Sequence, residues 1–217
     1  LARPVDGVEF DINQAKVSLL RVPDKPGVAA RLFNEISRQQ VDVDLIIQSI
    51  HEGNSNDIAF TVNTPILKRA EAVASAIAPA LRNQPNSDEA EVLVENNTAK
   101  VSISGAGMIG RPGVAAKMFV TLAEAGVNIQ MISTSEVKVS CLVDAGDCDR
   151  AIAALCNAFE ITASPAVLSS PTPESPAVRG VALDMNQARL AIRQVPDQPG
   201  MAAKLFGLLA EYNISVD

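Results

Sequence analysis

Apolar residues in this chain follow a period of two, then a helical period, and the same succession returns further along. Residues 7–11 (GVEFD) and 15–22 (AKVSLLRV) read as strands, the second rich in apolar and β-branched side chains. The turn VPDKPG then breaks the pattern with two prolines and a glycine. Val28, Leu32 and Ile36, flanked by Ala29 and Phe33, fall on one helical face. Residues 40–50 follow as a strand, HEGNSND as a polar turn and residues 58–62 as the hairpin partner. Thr64 is placed to cap a second helix with Pro65 in its first position. Ile66, Ala70, Val73, Ile77 and Leu81 line the apolar face of that helix, and residues 91–95 close the unit as a strand. The order β-α-β-β-α-β predicts an α+β, ferredoxin-like module.

A second unit repeats the order. A strand over 100–104 leads through a glycine-rich loop to a helix with Val114, Met118 and Leu122 on one face. Strands are expected over 127–135 and 137–143, and Asp147 opens a helix with Ile152, Leu155, Cys156 and Phe159 inward. Residues 164–176 (SPAVLSSPTPESP) lose all apolar periodicity and read as a semi-rigid linker.

The repeat is also visible residue by residue. VPDKPGVAARLF, ending at Phe33, returns as VPDQPGMAAKLF, ending at Phe206, with nine of twelve positions identical. RPGVAAKMF, ending at Phe119, is a weaker copy, and the copies are spaced by 86 and 87 residues. The lead-in G-V…D-x-N-Q-A stands before the first and third copies only. The expected division is therefore a first module over 1–98, a second over 99–162, a linker over 163–178 and the start of a third, truncated module over 179–217. Because the second module has no lead-in of its own, residues 5–12 are expected to pair in its sheet and interleave the two.

Composition narrows the partners. The 217 residues carry a net charge of −7, with six Phe, one Tyr and no Trp. Excess negative charge opposes binding to nucleic acid or an anionic membrane, and the missing aromatics deny a base-stacking platform. No apolar run approaches the roughly 18 residues of a membrane span. Cys141, Cys148 and Cys156 are odd in number and clustered in one module, which fits reduced thiols in a cytosolic setting better than a disulfide framework. The opening LARPVDG has no Met and no apolar core of a targeting signal, so the chain reads as a fragment.

The repeated loop is the one chemically suggestive feature. It delivers a helix N-terminus to the end of a strand, where the first N–H groups lack intrahelical partners and meet the positive end of the helix dipole. That suits a carboxylate. Asp24, just before Pro26 and Gly27, can either accept from an ammonium group or merely cap the helix. Asp197 matches Asp24, but Gly110 stands there in the second unit. An ammonium-holding Asp24 thus predicts that units one and three bind ligand in this loop and unit two does not bind in the same way.

Other motifs carry less. Gly105-Ala-Gly107-Met-Ile-Gly110 is formally G-x-G-x-x-G, but the sister units lack these glycines and the helix begins only after Gly113. His51 reads as a solvated turn residue, Cys156 and the methionines Met118, Met131 and Met185 as core, and Asp42 and Asp44 as solvated strand-end carboxylates. No Walker-type loop, G-x-S-x-G elbow or C-x-x-C spacing occurs, and no catalytic constellation is read.

The P-x-x-P-G-x-A-A-x-x-F loop and helix, VDVDLIIQSI, KVSISGAGM, RPGVAAKMF and GVNIQMISTSEVKVS together resemble the regulatory half of aspartate kinases, built of ACT domains. The second tandem start resembles the subgroup with four such modules. The resemblance implies allosteric binding of L-lysine, L-threonine or both, and feedback on a kinase domain that phosphorylates aspartate. It also implies side-by-side pairing of ACT modules, within a chain or as a homodimer. Carried over by position, the first module's effector residues are Asp24, Pro26, Gly27, Val28 and Ala29, with Asp44 and Gln48 from the following strand. Asn128, Ile129, Ser135 and Glu136 match positions that close a site from the neighbouring module, and Asp197, Pro199, Gly200, Met201 and Ala202 form the third module's loop. No cofactor is expected in this segment; ATP and Mg belong to the kinase domain, and the segment itself should not catalyse. The compartment implied is the cytoplasm, or a plastid if a transit segment has been removed. The alternative is the ACT region of another biosynthetic enzyme or a free-standing amino-acid sensor.

Overall fold

A computed structural model describes residues 3–51, 55–165 and 180–216. One long strand, β1 (Gly7–Pro23), runs through both modules. Helix α1 (Val28–Arg38), β2 (Ile46–His51), β3 (Ser55–Asn63), α2 (Leu67–Leu81) and β4 (Glu91–Ser104) complete the first. Helix α3 (Val114–Glu124), β5 (Met131–Ser135), β6 (Lys138–Asp144), α4 (Cys148–Phe159) and β7 (Ala163–Pro165) build the second, and α5 (Met201–Glu211) is the helix of the third.

The strands form one sheet in the order β2-β3-β1-β4-β6-β5, with β7 parallel to β1. The first module keeps the ferredoxin-like order. In the second, residues 7–11 of β1 pair with residues 100–104 of β4 on one side and β7 on the other. The lead-in strand is thereby inserted between the first and last strands of the second module.

Several elements differ from the sequence expectation for identifiable reasons. Residues 7–11 and 15–22 are one strand, as are 91–95 and 100–104. The polar residues between them stay in the sheet through local hydrogen bonds: Asp11 accepts from the Asn13 N–H at 2.9 Å and from Gln14 Nε2 at 2.8 Å, and Thr98 Oγ1 donates to the Gln14 carbonyl at 2.8 Å. The strand expected from 40 begins only at Ile46, because Gln40 turns left-handed (φ 56°) to end α1. Its neighbour Val41 donates to the Ile36 carbonyl, a Schellman closure. Gly126 and Asn213 repeat that closure at the ends of α3 and α5. Thr64 does not cap α2; it starts a short 3₁₀ turn with Pro65, and no side chain caps it. Residues 163–165 are a strand rather than the start of the linker, and residues 166–178 of that linker lie outside the described residues.

Each module packs its helices on one sheet face. Leu32, Ile36, Phe60, Val17 and Leu19 are fully or almost fully buried in the first core, and Phe33 meets Phe60 edge to face at 5.7 Å. Val101, Ile103, Met118, Phe119 and Leu122 do the same in the second. Burial of each such side chain stabilises by roughly 1.5–3 kcal/mol. The helix-free faces of the two modules meet at a smaller cluster of Leu45, Met131 and Leu142. Lys100, almost buried beside this seam, pairs with Asp44.

Met118 and Met131 are core, but Met185 is 84% exposed. Residues 180–195 copy the β1 sequence yet form no strand. β1 is held by β3 and β4 on its two sides, and the third unit has no counterpart of those strands within the 217 residues.

Candidate functional site

The three loop glycines adopt one conformation. Gly27, Gly113 and Gly200 precede α1, α3 and α5 with φ of 89°, 97° and 92°, a left-handed geometry that favours glycine. None of the three helices has a side-chain cap. In α1 the first helical bond runs from the Arg31 N–H to the Gly27 carbonyl at 2.9 Å, and the Val28 N–H turns back to Lys25. The N–H groups of Ala29 and Ala30 lie ahead of that ladder and are available to an acceptor. Asp24 is exposed and has no hydrogen-bond or ion-pair partner among the described residues, so capping does not explain it.

A cavity of about 360 Å³ opens at this loop. Asp24, Pro26, Gly27, Val28, Ala29 and, from β2, Gln48 line it. Asp44 lies elsewhere, on the seam with Lys100. Asn56 and Ile58 from β3, with Val22, Pro23 and Lys25 from the loop itself, complete the lining and were not anticipated. An adjoining cavity of about 570 Å³ brings Arg189 and Arg193 beside Asp24 and Gln48. Asp24 thus borders two adjoining cavities, one with a helix N-terminus and the other with two arginines, a set suited to a zwitterion.

The third unit's loop is completed by the second. Asp197, Gly200, Met201 and Ala202 border a cavity of about 660 Å³ whose other wall holds Asn128 and Ile129. Asn128 Nδ2 donates to Asp197 Oδ1 at 2.8 Å. Pro199 stands in the same loop but not in that lining. Ser135 and Glu136 face a different cavity, about 340 Å³, together with Gly110 and Gly113 of their own module and Ser215 of the third. The four residues expected to act together thus divide between two cavities.

The glycines of GAGMIG have a structural task. A Cβ on Gly105 would come within 2.5 Å of the Pro4 carbonyl oxygen, and one on Gly107 within 2.7 Å of that of Arg3. They let the chain before β1 lie directly on the loop.

Family models described as ACT domain match residues 17–81 and 101–159. The aspartate kinase of Stutzerimonas stutzeri (strain A1501) is 40% identical over 159 residues, or 73% of this chain and 37% of that relative. The crystal structure of aspartate kinase from Synechocystis superposes with a TM-score of 0.93 at 68% identity, over 100% of this chain and 37% of that one. The regulatory subunit of aspartate kinase from Thermus flavus gives a TM-score of 0.65 at 34% identity, over 71% of this chain and 98% of its own. The chain belongs to the ACT-domain regulatory family of the aspartokinases. It spans little more than a third of the length of the first two relatives. The loops before α1 and α3 lie inside the two matched segments, and the cavities lie at helix starts. Among the described residues no helix is long and apolar enough to cross a membrane, and no cluster of His, Cys, Asp and Glu is placed to hold a metal.

Proposed function

We propose that this chain is the effector-sensing region of an aspartokinase, binding L-lysine, L-threonine or both and feeding back on an ATP-dependent kinase domain of the same protein. The observation that carries the reading is the unpartnered Asp24 carboxylate beside the open start of α1 and the Gln48 wall. The effector's carboxylate meets the N–H groups of Ala29 and Ala30, with Arg189 and Arg193 adding positive charge, and its ammonium meets Asp24. The third unit's loop, with Asp197 opposite Asn128, is a second site of the same kind. The loop at Gly110 lacks the acidic group and takes no amino acid in this way.

An effector regulates only by binding one arrangement of the units better than another. The cavity at Asp197 has walls from two units, and the one adjoining the Asp24 loop adds Arg189 and Arg193 of the third unit, so ligand favours the assembled arrangement. The coupling needed is modest, about 1–3 kcal/mol. Pairing of ACT units between two copies and residence in a cytoplasmic or plastid compartment belong to the same proposal, as does membership of the subgroup with four ACT modules.

Calorimetric titration with L-lysine and L-threonine, separately and each in the presence of the other, tests the reading. Saturable binding that Asp24→Ala weakens supports it. Absence of heat with either ligand, in this chain and in the kinase-bearing protein, overturns it.

A further inference from the structure

Of the polar side chains that line the cavity at the Asp24 loop, only that of Asn56 is buried. It is 5% exposed, and its carboxamide makes no hydrogen bond among the described residues. On β3 it is followed at every second position by Ile58, Phe60 and Val62, all packed into the first core. Asn56 ends that row, paired with Val22 of β1 just before the loop. Gln48 of β2 lies opposite Ile58, so its carboxamide shares the same face as the diagonal neighbour of Asn56. Asp24, Gln48 and Asn56 are the three residues common to the loop cavity and the adjoining one.

A buried amide without a partner weakens the fold, because nothing offsets its desolvation. The cavity in front of Asn56 supplies the reason for keeping it: its partner is a ligand. A carboxamide presents a donor and an acceptor side by side. An ammonium only donates and a carboxylate only accepts, so either would leave half of the amide unmet, whereas a hydroxyl does both. Size and charge point the same way. Val28 and Ile58 wall the loop cavity with apolar surface beside Asn56, which leaves room for a short side chain. A long one would have to extend into the adjoining cavity, where Arg189 and Arg193 repel a second ammonium.

We propose that Asn56 is the residue with which the Asp24 site reads the effector's side chain, and that it selects an α-amino acid with a short, hydroxyl-bearing side chain over one that ends in a cation. The hydroxyl bonds to the Asn56 carboxamide, and the carbons beside it lie against Val28 and Ile58. Binding of the α-carboxylate and α-ammonium rests on the effector reading; recognition of the side chain is added to it. A site built to bond a hydroxyl rejects an analogue that lacks one, because its own buried polar group is then left unpaired.

Calorimetry on the full chain carrying Asp197→Asn reads the Asp24 site by itself. L-valine has the shape of L-threonine without the hydroxyl and should bind about 10- to 100-fold more weakly. L-lysine should also bind more weakly than L-threonine. Asn56→Leu keeps the volume and removes the amide, so it should bring L-threonine and L-valine to within about three-fold of each other. Without ligand, Asn56→Leu should unfold at a higher denaturant concentration than the chain with Asn56, since it deletes an unpartnered buried group; an amide kept for the fold alone would give the opposite shift. Equal binding of L-threonine and L-valine, tighter binding of L-lysine, discrimination that survives Asn56→Leu, or a lower unfolding midpoint in that variant would each overturn the proposal. In those cases binding that Asp24→Ala still abolishes leaves the effector reading standing, whereas no heat with any of the three amino acids removes both.

Discussion

Asn128 donates its side-chain amide to the Asp197 carboxylate at 2.8 Å, so the acidic group of the third unit is engaged by a neighbour, whereas Asp24 is unpartnered among the described residues. The two loops share a sequence and a backbone but not an electrostatic starting point. An ammonium arriving at Asp24 displaces water; one arriving at Asp197 must share the carboxylate with Asn128. Hydrogen bonds to charged groups contribute about 1.5–3 kcal/mol. Asp24→Asn is therefore expected to weaken effector binding at its site by roughly 10- to 100-fold. Asp197→Asn should weaken a separate class of sites, and the two losses should add if the sites are independent. Calorimetry on the two single variants and the double variant measures both points, and an Asp24→Asn chain with unchanged isotherms removes the ammonium role.

Gly27 and Gly105 are expected to resist alanine for different reasons. At Gly27 an added Cβ meets nothing within 4 Å, so the cost comes from the left-handed backbone alone, about 1–2 kcal/mol. At Gly105 the backbone is extended, but the Cβ would collide with the backbone of residues 4–6. Overpacking of this kind costs about 1–3 kcal/mol. Denaturant unfolding should show both losses. Hydrogen exchange separates them: only Gly105→Ala should expose the Asp6 N–H, which now donates to the Ser104 carbonyl at 2.9 Å.

How far such features can be read from sequence depends on their range. The P-G helix starts were legible because glycine and proline act locally, and the repeat confirmed them three times over. Asn56 was missed although a signal existed: it shares strand parity with Ile58, Phe60 and Val62, all buried, so a polar residue stood on a buried face. Lys100 gave no such warning. Its parity with Thr98 and Ser102 reads as a solvent face, and it is buried only because two modules fold their bare sheet faces together. The role of Gly105 was hidden for a related reason, since its partners lie about a hundred positions earlier.

The Asp44–Lys100 pair should respond unequally to removal of either partner. The Lys100 side chain is 11% exposed and that of Asp44 is 40% exposed. Asp44→Asn leaves an ammonium at the seam with little water to replace its partner, whereas Lys100→Met leaves a carboxylate that water can reach. Breaking a fully buried pair from one side costs about 3–5 kcal/mol. With one partner partly solvated, about 1–3 kcal/mol is expected for Asp44→Asn, and less for Lys100→Met. Unfolding curves for both variants check the order; a larger loss for Lys100→Met would mean that the charge on Lys100 is not confined by the seam.

Cys141 is fully buried in β6, and burial pushes its thiol well above the ordinary range. The unfolded chain ionises this thiol near pH 8.5, while the folded chain keeps the proton. Above that point the native state binds more protons than the unfolded state, so stability falls as pH rises. The contribution is fully present below about pH 8.5 and declines by about 1.4 kcal/mol per pH unit above it. Cys148, raised by burial and then by the nearby Asp149, acts in the same direction. Stability measured from pH 7 to pH 10 should therefore slope downward, and Cys141→Ala should flatten part of that slope. The same burial predicts an order of reactivity: a thiol-specific disulfide reagent should modify half-buried Cys156 in the native chain and reach Cys141 only on unfolding. A slope untouched by Cys141→Ala, with rapid native labelling of Cys141, would mean that the second core opens far more readily than its packing implies.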